Sequence, residues 1–200
     1  MMVEPDEALV EARLVAGELD CTDCGGELRP WGHARPRLLR DHGRWVELQP
    51  RRSICQTCSK ARGKLKTHVL LPTLVLLRRM DVAAVIGEAL IAIHRDRSTR
   101  KEVARVAGAP VDTVRGWRRR FGKRVDQIRE FFTTLAHRWD PELGAIATRA
   151  TVALDALEAI GVAVAAAVRR FGAQPQWQLV AAATGGRLLC NTSCPLPAMS

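Results

Sequence analysis

Helical periodicity governs the chain after Pro72. Val82, Val85, Ile86, Ala89, Leu90 and Ile93 recur at intervals of 3, 4 and 7, one apolar face over about three turns. A second helix is predicted from Thr99, because Thr99 with Glu102 three residues later forms a capping box, and Gly108 and Pro110 end it. From Val111 onward, Val114, Trp117, Phe121, Val125, Ile128, Phe132, Leu135 and Trp139 keep a spacing of 3 or 4. That pattern predicts one extended third helix, weakened at Gly122 and stopped at Asp140-Pro141. Asp140 as N-cap, with Pro141 and Glu142 behind it, predicts a further Ala-rich helix reaching Arg170. Pro175 opens a short last helix that Gly185-Gly186 ends.

The first third reads differently. Met1 to Asp20 suggests a short acidic helix or a frayed leader. Residues 21–72 alternate, as in Trp45-Val46-Glu47-Leu48, which suits small strands, and His68 to Leu71 suits a last strand stopped at Pro72. Two CxxC pairs, Cys21/Cys24 and Cys55/Cys58, fall in this alternating part, so the predicted fold is mainly α, with a small β zinc ribbon at the N-terminal side and a helix-turn-helix bundle followed by C-terminal helices. Its segments are an acidic leader (1–20), a zinc ribbon (21–72), a helix-turn-helix domain with an extended third helix (73–140), an Ala-rich helical segment (141–186) and a loose tail (187–200).

Charge sharpens this division. The 200 residues carry a formal net charge of +10. Residues 1–30 hold −6, residues 31–80 hold +10, residues 81–140 hold +5 and residues 141–200 hold +1. The excess of positive charge in the middle points to an anionic partner, most often nucleic acid. The N-terminus lacks a basic region followed by an apolar run, and the most apolar stretch, Ile160 to Val168, is too short to span a bilayer. A cytoplasmic, nucleoid-associated protein with no membrane partner is expected.

Two CxxC pairs, Cys21/Cys24 and Cys55/Cys58, stand thirty residues apart. Two residues between cysteines let a tight turn aim both sulfurs at one ion, and four thiolates complete a tetrahedral shell. One structural zinc ion is the expected cofactor, with no open position for catalytic water. His33, His42 and His68 are alternatives for a single ligand. Redox chemistry is disfavoured, because no thioredoxin-like βαβ pattern surrounds either pair. Cys190 and Cys194 read as free thiols in the tail.

The stretch STRKEVARVAGAPVDTVRGWRRRF reads as two short helices around a tight turn. Ala104 is small where the helices cross, Gly108 supplies the turn's positive φ, and Val103, Ala107, Val114 and Trp117 lock the pair. In such a motif the start of the second helix meets base edges. Val111, Asp112, Thr113 and Arg115 hold that place, with Gly116 allowing close approach, and Arg115 is suited to guanine O6 and N7. Arg118, Arg119, Arg120, Lys123 and Arg124, with Arg100 and Lys101 on the preceding helix, are expected at phosphates. Within the ribbon, Arg35, Arg37, Arg51 and Arg52 are expected to follow a phosphate backbone, and Trp31 and Trp45 either stack on bases or form a small core.

Leu143, Ile146, Leu154, Leu157, Ile160, Val164 and Val168 give the Ala-rich segment an apolar face that must pack on this chain or on a second copy, so a homodimer through the C-terminal helices is a further expectation. No nucleophile motif, phosphate-binding glycine loop or metal-holding carboxylate cluster is evident. Asp155 and Glu158 read as helix surface or as partners of Arg149 or Arg169.

Together CTDCGGELRPWGHARPRLLR, RRSICQTC, THVLLP, RRMDVAAVIGEAL and VDTVRGWRRRF resemble small proteins of high-GC bacteria that are similar to the N-terminal zinc-ribbon and helix-turn-helix region of insertion-sequence transposases. The resemblance spans residues 21–125 and implies binding of double-stranded DNA in a mobile-element or regulatory setting, without the catalytic domain of a full transposase. The longer knuckle exit ARGKLK departs from that pattern. The expected function is a non-catalytic, sequence-preferring DNA-binding protein. The rivals are an RNA-binding ribonucleoprotein subunit and an adaptor that recruits a catalytic partner.

Overall fold

The computed structural model describes residues 1–190 and 195–197. Among these, eight α-helices follow and interleave with seven short strands, so the chain is mainly α with its β structure in the N-terminal half. It divides into two compact units. The first comprises Met1–Leu39 and Val46–Thr73, the second Arg40–Trp45 and Leu74–Ser200.

The first unit begins with β1 (Met2–Val3) and α1 (Glu7–Ala16). The Asp6 carboxylate accepts hydrogen bonds from the backbone N–H groups of Ala8 and Leu9, and Gly17 closes the helix in the left-handed region. Val10 and Leu14 of α1 are buried with Val3, Leu19, Leu28 and Leu70 around Cys21, Cys55 and Cys58. The acidic first segment is therefore core scaffold and not a frayed leader. Its acidic residues sit on the outer face while one stripe seals the cysteines.

Strands β2 (Leu28–His33), β5 (Arg51–Cys55) and β6 (Thr67–Val69) form an antiparallel sheet in the order β2-β5-β6. Leu28 opposes Cys55, and Ser53 opposes His68. β7 (Leu71–Pro72) leaves this sheet and pairs in parallel with β1, so the expected last strand is split at Leu70 between two partners. Between β5 and β6 the residues beyond Cys55 form α2 (Gln56–Arg62), which accounts for the long knuckle exit. β3 (Arg37–Asp41) and β4 (Arg44–Leu48) make a two-stranded hairpin whose tip belongs to the second unit.

The second unit is helical: α3 (Ala83–His94), α4 (Arg100–Ala107), α5 (Val111–Gly122), α6 (Val125–Trp139), α7 (Val152–Phe171) and α8 (Gln176–Ala183). α3 packs on α4, α5, α7 and α8. It crosses α8 at Gly87, where an added Cβ would lie 1.9 Å from the Trp177 ring.

Two sequence-based expectations change here. The extended third helix is two helices, α5 and α6, separated at Lys123-Arg124. Arg124 leaves helical geometry (φ −130°, ψ 7°) and is 1% exposed. Its Nη1 donates to the carbonyl oxygens of Arg187 (2.8 Å) and Cys190 (3.3 Å). Spacing alone misses this break because Phe121, Val125 and Ile128 are buried on both sides of it.

Residues 140–151 are not helical, and α7 starts only at Val152, capped by the Thr151 hydroxyl. The reason is distance. Trp139 meets Phe171 edge to face at 5.9 Å, and Arg169 donates to Asp140 at 2.6 Å, so the C-terminal ends of α6 and α7 lie together. The two helices therefore run in the same direction. The connecting segment must return along α6, about 22 Å for its 15 residues at 1.5 Å each, and a helix of twelve residues spans only about 18 Å. Extended chain covers it with ease.

α7 turns a stripe of small residues inward. Ala156, Ala159, Ala163, Ala166 and Ala167 are all but inaccessible, and they let α6 approach closely through Ile128, Phe132 and Ala136. Leu157 and Ile160, on the apolar face expected to pack on this chain or on a second copy, are covered within the chain. The tail beyond Gly186 starts in the core, with Leu188 and Leu189 each 1% exposed and Cys190 buried, while Cys194 lies outside the described residues. Among the described residues no helix is long and apolar enough to cross a membrane.

Candidate metal centre and helix-turn-helix

Cys21 enters a tight loop closed by two backbone hydrogen bonds of 2.8 Å, Cys21 N–H to Gly26 O and Gly25 N–H to Cys21 O, with Gly25 at φ +67°. Inside the loop, the N–H groups of Asp23 and Gly26 point at the sulfurs of Cys21 and Cys24, each at 3.4 Å. The second pair straddles the end of β5 and the first turn of α2, where Cys55 is the N-cap and its sulfur accepts from the N–H of Cys58. Backbone donors aimed at sulfur favour thiolate over thiol.

The two loops converge. Cys21 and Cys58 sulfurs are 3.8 Å apart and those of Cys24 and Cys55 3.5 Å apart, and all four lie within 4.8 Å of one another. A tetrahedral ion with metal–sulfur bonds of about 2.3 Å needs sulfur–sulfur edges near 3.8 Å. A disulfide would need about 2.05 Å. The four cysteines fit one metal ion, and three of them are buried. Crowding without a cation is unfavourable for charge: the Cys58 thiol is pushed up to about 12, first by hydrogen bonding with Cys24, then by burial and by Cys55 and Cys21.

His68 Nε2 lies 3.3 Å from the Cys21 sulfur, beside the four-sulfur set and not within it. Burial and nearby Lys66 hold its imidazole below the ordinary value, so a neutral ring is available to donate to sulfur. His33 is exposed on β2, and His42 belongs to the other unit. Spacing alone does not distinguish these three histidines. The antiparallel register that sets His68 opposite Ser53, two residues before Cys55, does.

The helix-turn-helix is formed as its sequence requires. The Thr99 hydroxyl accepts from Glu102 N–H, and Thr99 N–H donates to Glu102 Oε2 at 2.8 Å, completing the capping box. Gly108, at φ +61°, ends α4, Ala109 N–H returns to Ala104 O at 2.9 Å, and Pro110 opens α5. Val103, Ala104 and Ala107 of α4 and Val114, Trp117 and Phe121 of α5 are buried. The opposite faces carry Arg100 and Lys101 on α4 and Asp112, Arg115, Arg118 and Arg119 on α5, with Lys123 just past its end, all exposed, and Val111 and Thr113 half-buried. Arg115 Nη1 donates to Asp112 Oδ1 at 2.7 Å, so its guanidinium is held along the helix start.

Several expected contacts do not survive. Gly116 is buried, and Arg120 Nη1 lies 2.9 Å from where its Cβ would be, so this glycine does not offer close approach to a partner. Arg124 is an interior strut and is unavailable to phosphate. In the first unit Arg51 is engaged by the Glu11 carboxylate and by the Gly32 carbonyl, and Arg52 Nη2 donates to Thr67 Oγ1 at 2.8 Å. Arg37 is half-buried, its Nε and Nη2 without partners. Only Arg35 of these four is fully exposed. Trp31 (45% exposed) and Trp45 (55%) are not a ribbon core, and Arg40 lies over the Trp45 ring at 5.7 Å.

The hairpin tip is a feature that the sequence does not reveal. Arg40 donates to the buried Asp81 carboxylate at 2.6 Å. His42, at φ 48°, shares its Nδ1 with Asp41 (2.8 Å) and its Nε2 with Glu88 of α3 (2.9 Å). Gly43 sits against the helix-turn-helix turn so closely that a Cβ on Gly108 would lie 2.2 Å from the Gly43 Cα. A glycine at the hairpin tip is the available signal, but nothing in spacing pairs it with Gly108. Just ahead of α7, Arg149 donates to Glu158 at 2.8 Å and its N–H to Asp155, so both carboxylates are tied to one arginine.

No protein-family model matches the chain, and no curated protein or solved structure is detectably similar to it.

Proposed function

We propose that this chain binds double-stranded DNA through its helix-turn-helix, with one structural zinc ion held by Cys21, Cys24, Cys55 and Cys58. The carrying observation is the division of α4 and α5 into a buried apolar face and an exposed face dominated by basic residues, joined by a turn of the right geometry. α5 enters the major groove with Val111, Asp112, Thr113 and Arg115 nearest the bases. Arg100, Lys101, Arg118, Arg119 and Lys123 bind phosphates. Zinc follows from the all-thiolate donor set, which hard cations such as magnesium and calcium do not favour. The ion holds the first unit together and has no catalytic task, since four sulfurs fill its shell.

The resemblance to the DNA-binding region of insertion-sequence transposases supports a mobile-element or regulatory setting in the nucleoid. A specific observation favours a second reading. Trp31 and Trp45 are exposed, as single-stranded RNA or DNA binding by base stacking requires. Competition at one fixed salt concentration between a labelled duplex DNA, a structured RNA and a single strand separates the two. The duplex should win, and replacing both tryptophans by alanine should leave that binding within about twofold. Preference for the single strand, lost in the tryptophan variant, would replace the first reading by the second.

A further inference from the structure

A cavity of about 330 Å³ opens between α3 and α4. Its walls are apolar: Val85, Ala89 and Ala92 from α3, and Val103, Val106 and Ala107 from α4. Its rim is acidic, with Glu88, Asp96 and Glu102 around it and His42 the only basic group among its lining residues. In a chain of net charge +10 this is a local reversal of sign. Two of the carboxylates are occupied, Glu88 by His42 and Glu102 by the Thr99 N–H. Asp96 accepts no hydrogen bond among the described residues.

We propose that this cavity binds a small lipophilic cation, an alkyl or aryl ammonium or amidinium. The hydrocarbon part lies against Ala89, Ala92, Val103 and Val106, and the cationic head rests at the rim against Asp96. Charge complementarity selects the class, because the acidic rim repels a fatty acid or a phosphate and offers a neutral alcohol no ion pair. Size selects a small molecule over a peptide helix. The α3 wall from Val85 to Ala92 is about 10 Å long at 1.5 Å per residue, and the volume stands at the low end of the roughly 300–1,000 Å³ of small-ligand pockets. Val106 is 59% exposed although it lines the cavity, an apolar side chain left at the mouth for a ligand to cover. The site makes no use of the DNA-binding reading and stands or falls separately from it.

The test is titration of the full chain with hexylammonium chloride, followed by amide chemical shifts, beside hexanol and hexanoate at equal concentrations. Hexylammonium should give saturable shifts centred on Ala89, Ala92 and Val103, with hexanol about fivefold weaker and hexanoate without saturable effect. Asp96→Asn should weaken hexylammonium by about two- to fivefold, the range of an exposed ion pair. Val106→Lys, at an exposed position the fold tolerates, should abolish its binding by setting a like charge at the mouth. Equal binding of all three probes, shifts centred elsewhere, unaltered affinity in Val106→Lys, or no saturable shift with hexylammonium would each overturn the proposal.

Discussion

Arg115 and Arg124 belong to one basic run yet have opposite fates. Arg115 is on the exposed start of α5, braced by Asp112. Arg124 is 1% exposed and bound to two carbonyl oxygens. At this scale four outcomes are expected. Arg115→Ala should lower discrimination between a preferred and a random duplex by about 1–3 kcal/mol, whereas Arg119→Ala should weaken both equally and reduce the salt slope by about 1. Fluorescence anisotropy across salt concentrations measures both. Arg124→Ala should act on stability and not on DNA, with a loss of about 3 kcal/mol in chemical unfolding, because the Arg187 carbonyl oxygen loses its donor and a large buried side chain leaves a cavity. Gly108→Val should destabilise the second unit by more than about 2 kcal/mol, since it forces a β-branched residue to φ +61° and drives its Cβ into Gly43. The turn pattern in the sequence shows that Gly108 needs positive φ, but not the clash, because Gly43 is distant along the chain.

At the scale of elements, the hairpin tip is tied to α3 by a charge that depends on pH. Glu88 first, and then Asp41, raise the His42 imidazole above its ordinary value of 6.5. A pKa raised on folding contributes stability that is fully present below the unfolded value and is lost as pH rises through the folded one. The melting temperature of the parent should therefore fall, relative to that of Glu88→Gln, as pH is raised from about 6 to about 8.5. The difference between the two proteins isolates His42, since burial lowers His68 and His94 and gives them the opposite sign in both. A constant difference across that range would remove the charge from this contact. Helices α3, α4, α5 and α8 were legible from periodicity and caps. The α5–α6 break and the extended return of residues 140–151 were not. Both are set by tertiary demands, a buried guanidinium in one case and the parallel course of α6 and α7 in the other, and neither interrupts the local apolar spacing.

At the scale of the whole molecule, the chain divides into two compact units, and the four cysteines all belong to the first. The four-sulfur set was legible in the cysteine spacing alone, because CxxC loops impose their own geometry. That spacing could not show that α1 seals the set with Val10 and Leu14, or that Glu11 takes Arg51 from the basic surface. Removing the metal with a strong chelator should unfold the first unit, seen as loss of amide dispersion for residues of β2, β5 and α1, and zinc should restore it. Cys24→Ser should lower zinc affinity by at least about tenfold, even though Cys24 is the most exposed of the four. Retention of native shifts after complete chelation would deny the ion a structural role.

Whether α5 reads duplex DNA is decided by selecting bound sequences from a random duplex library with the zinc-loaded chain. An enriched motif is expected, containing a guanine whose preference disappears when the selection is repeated with Arg115→Ala. No enrichment, or the same motif from parent and variant, would contradict that reading.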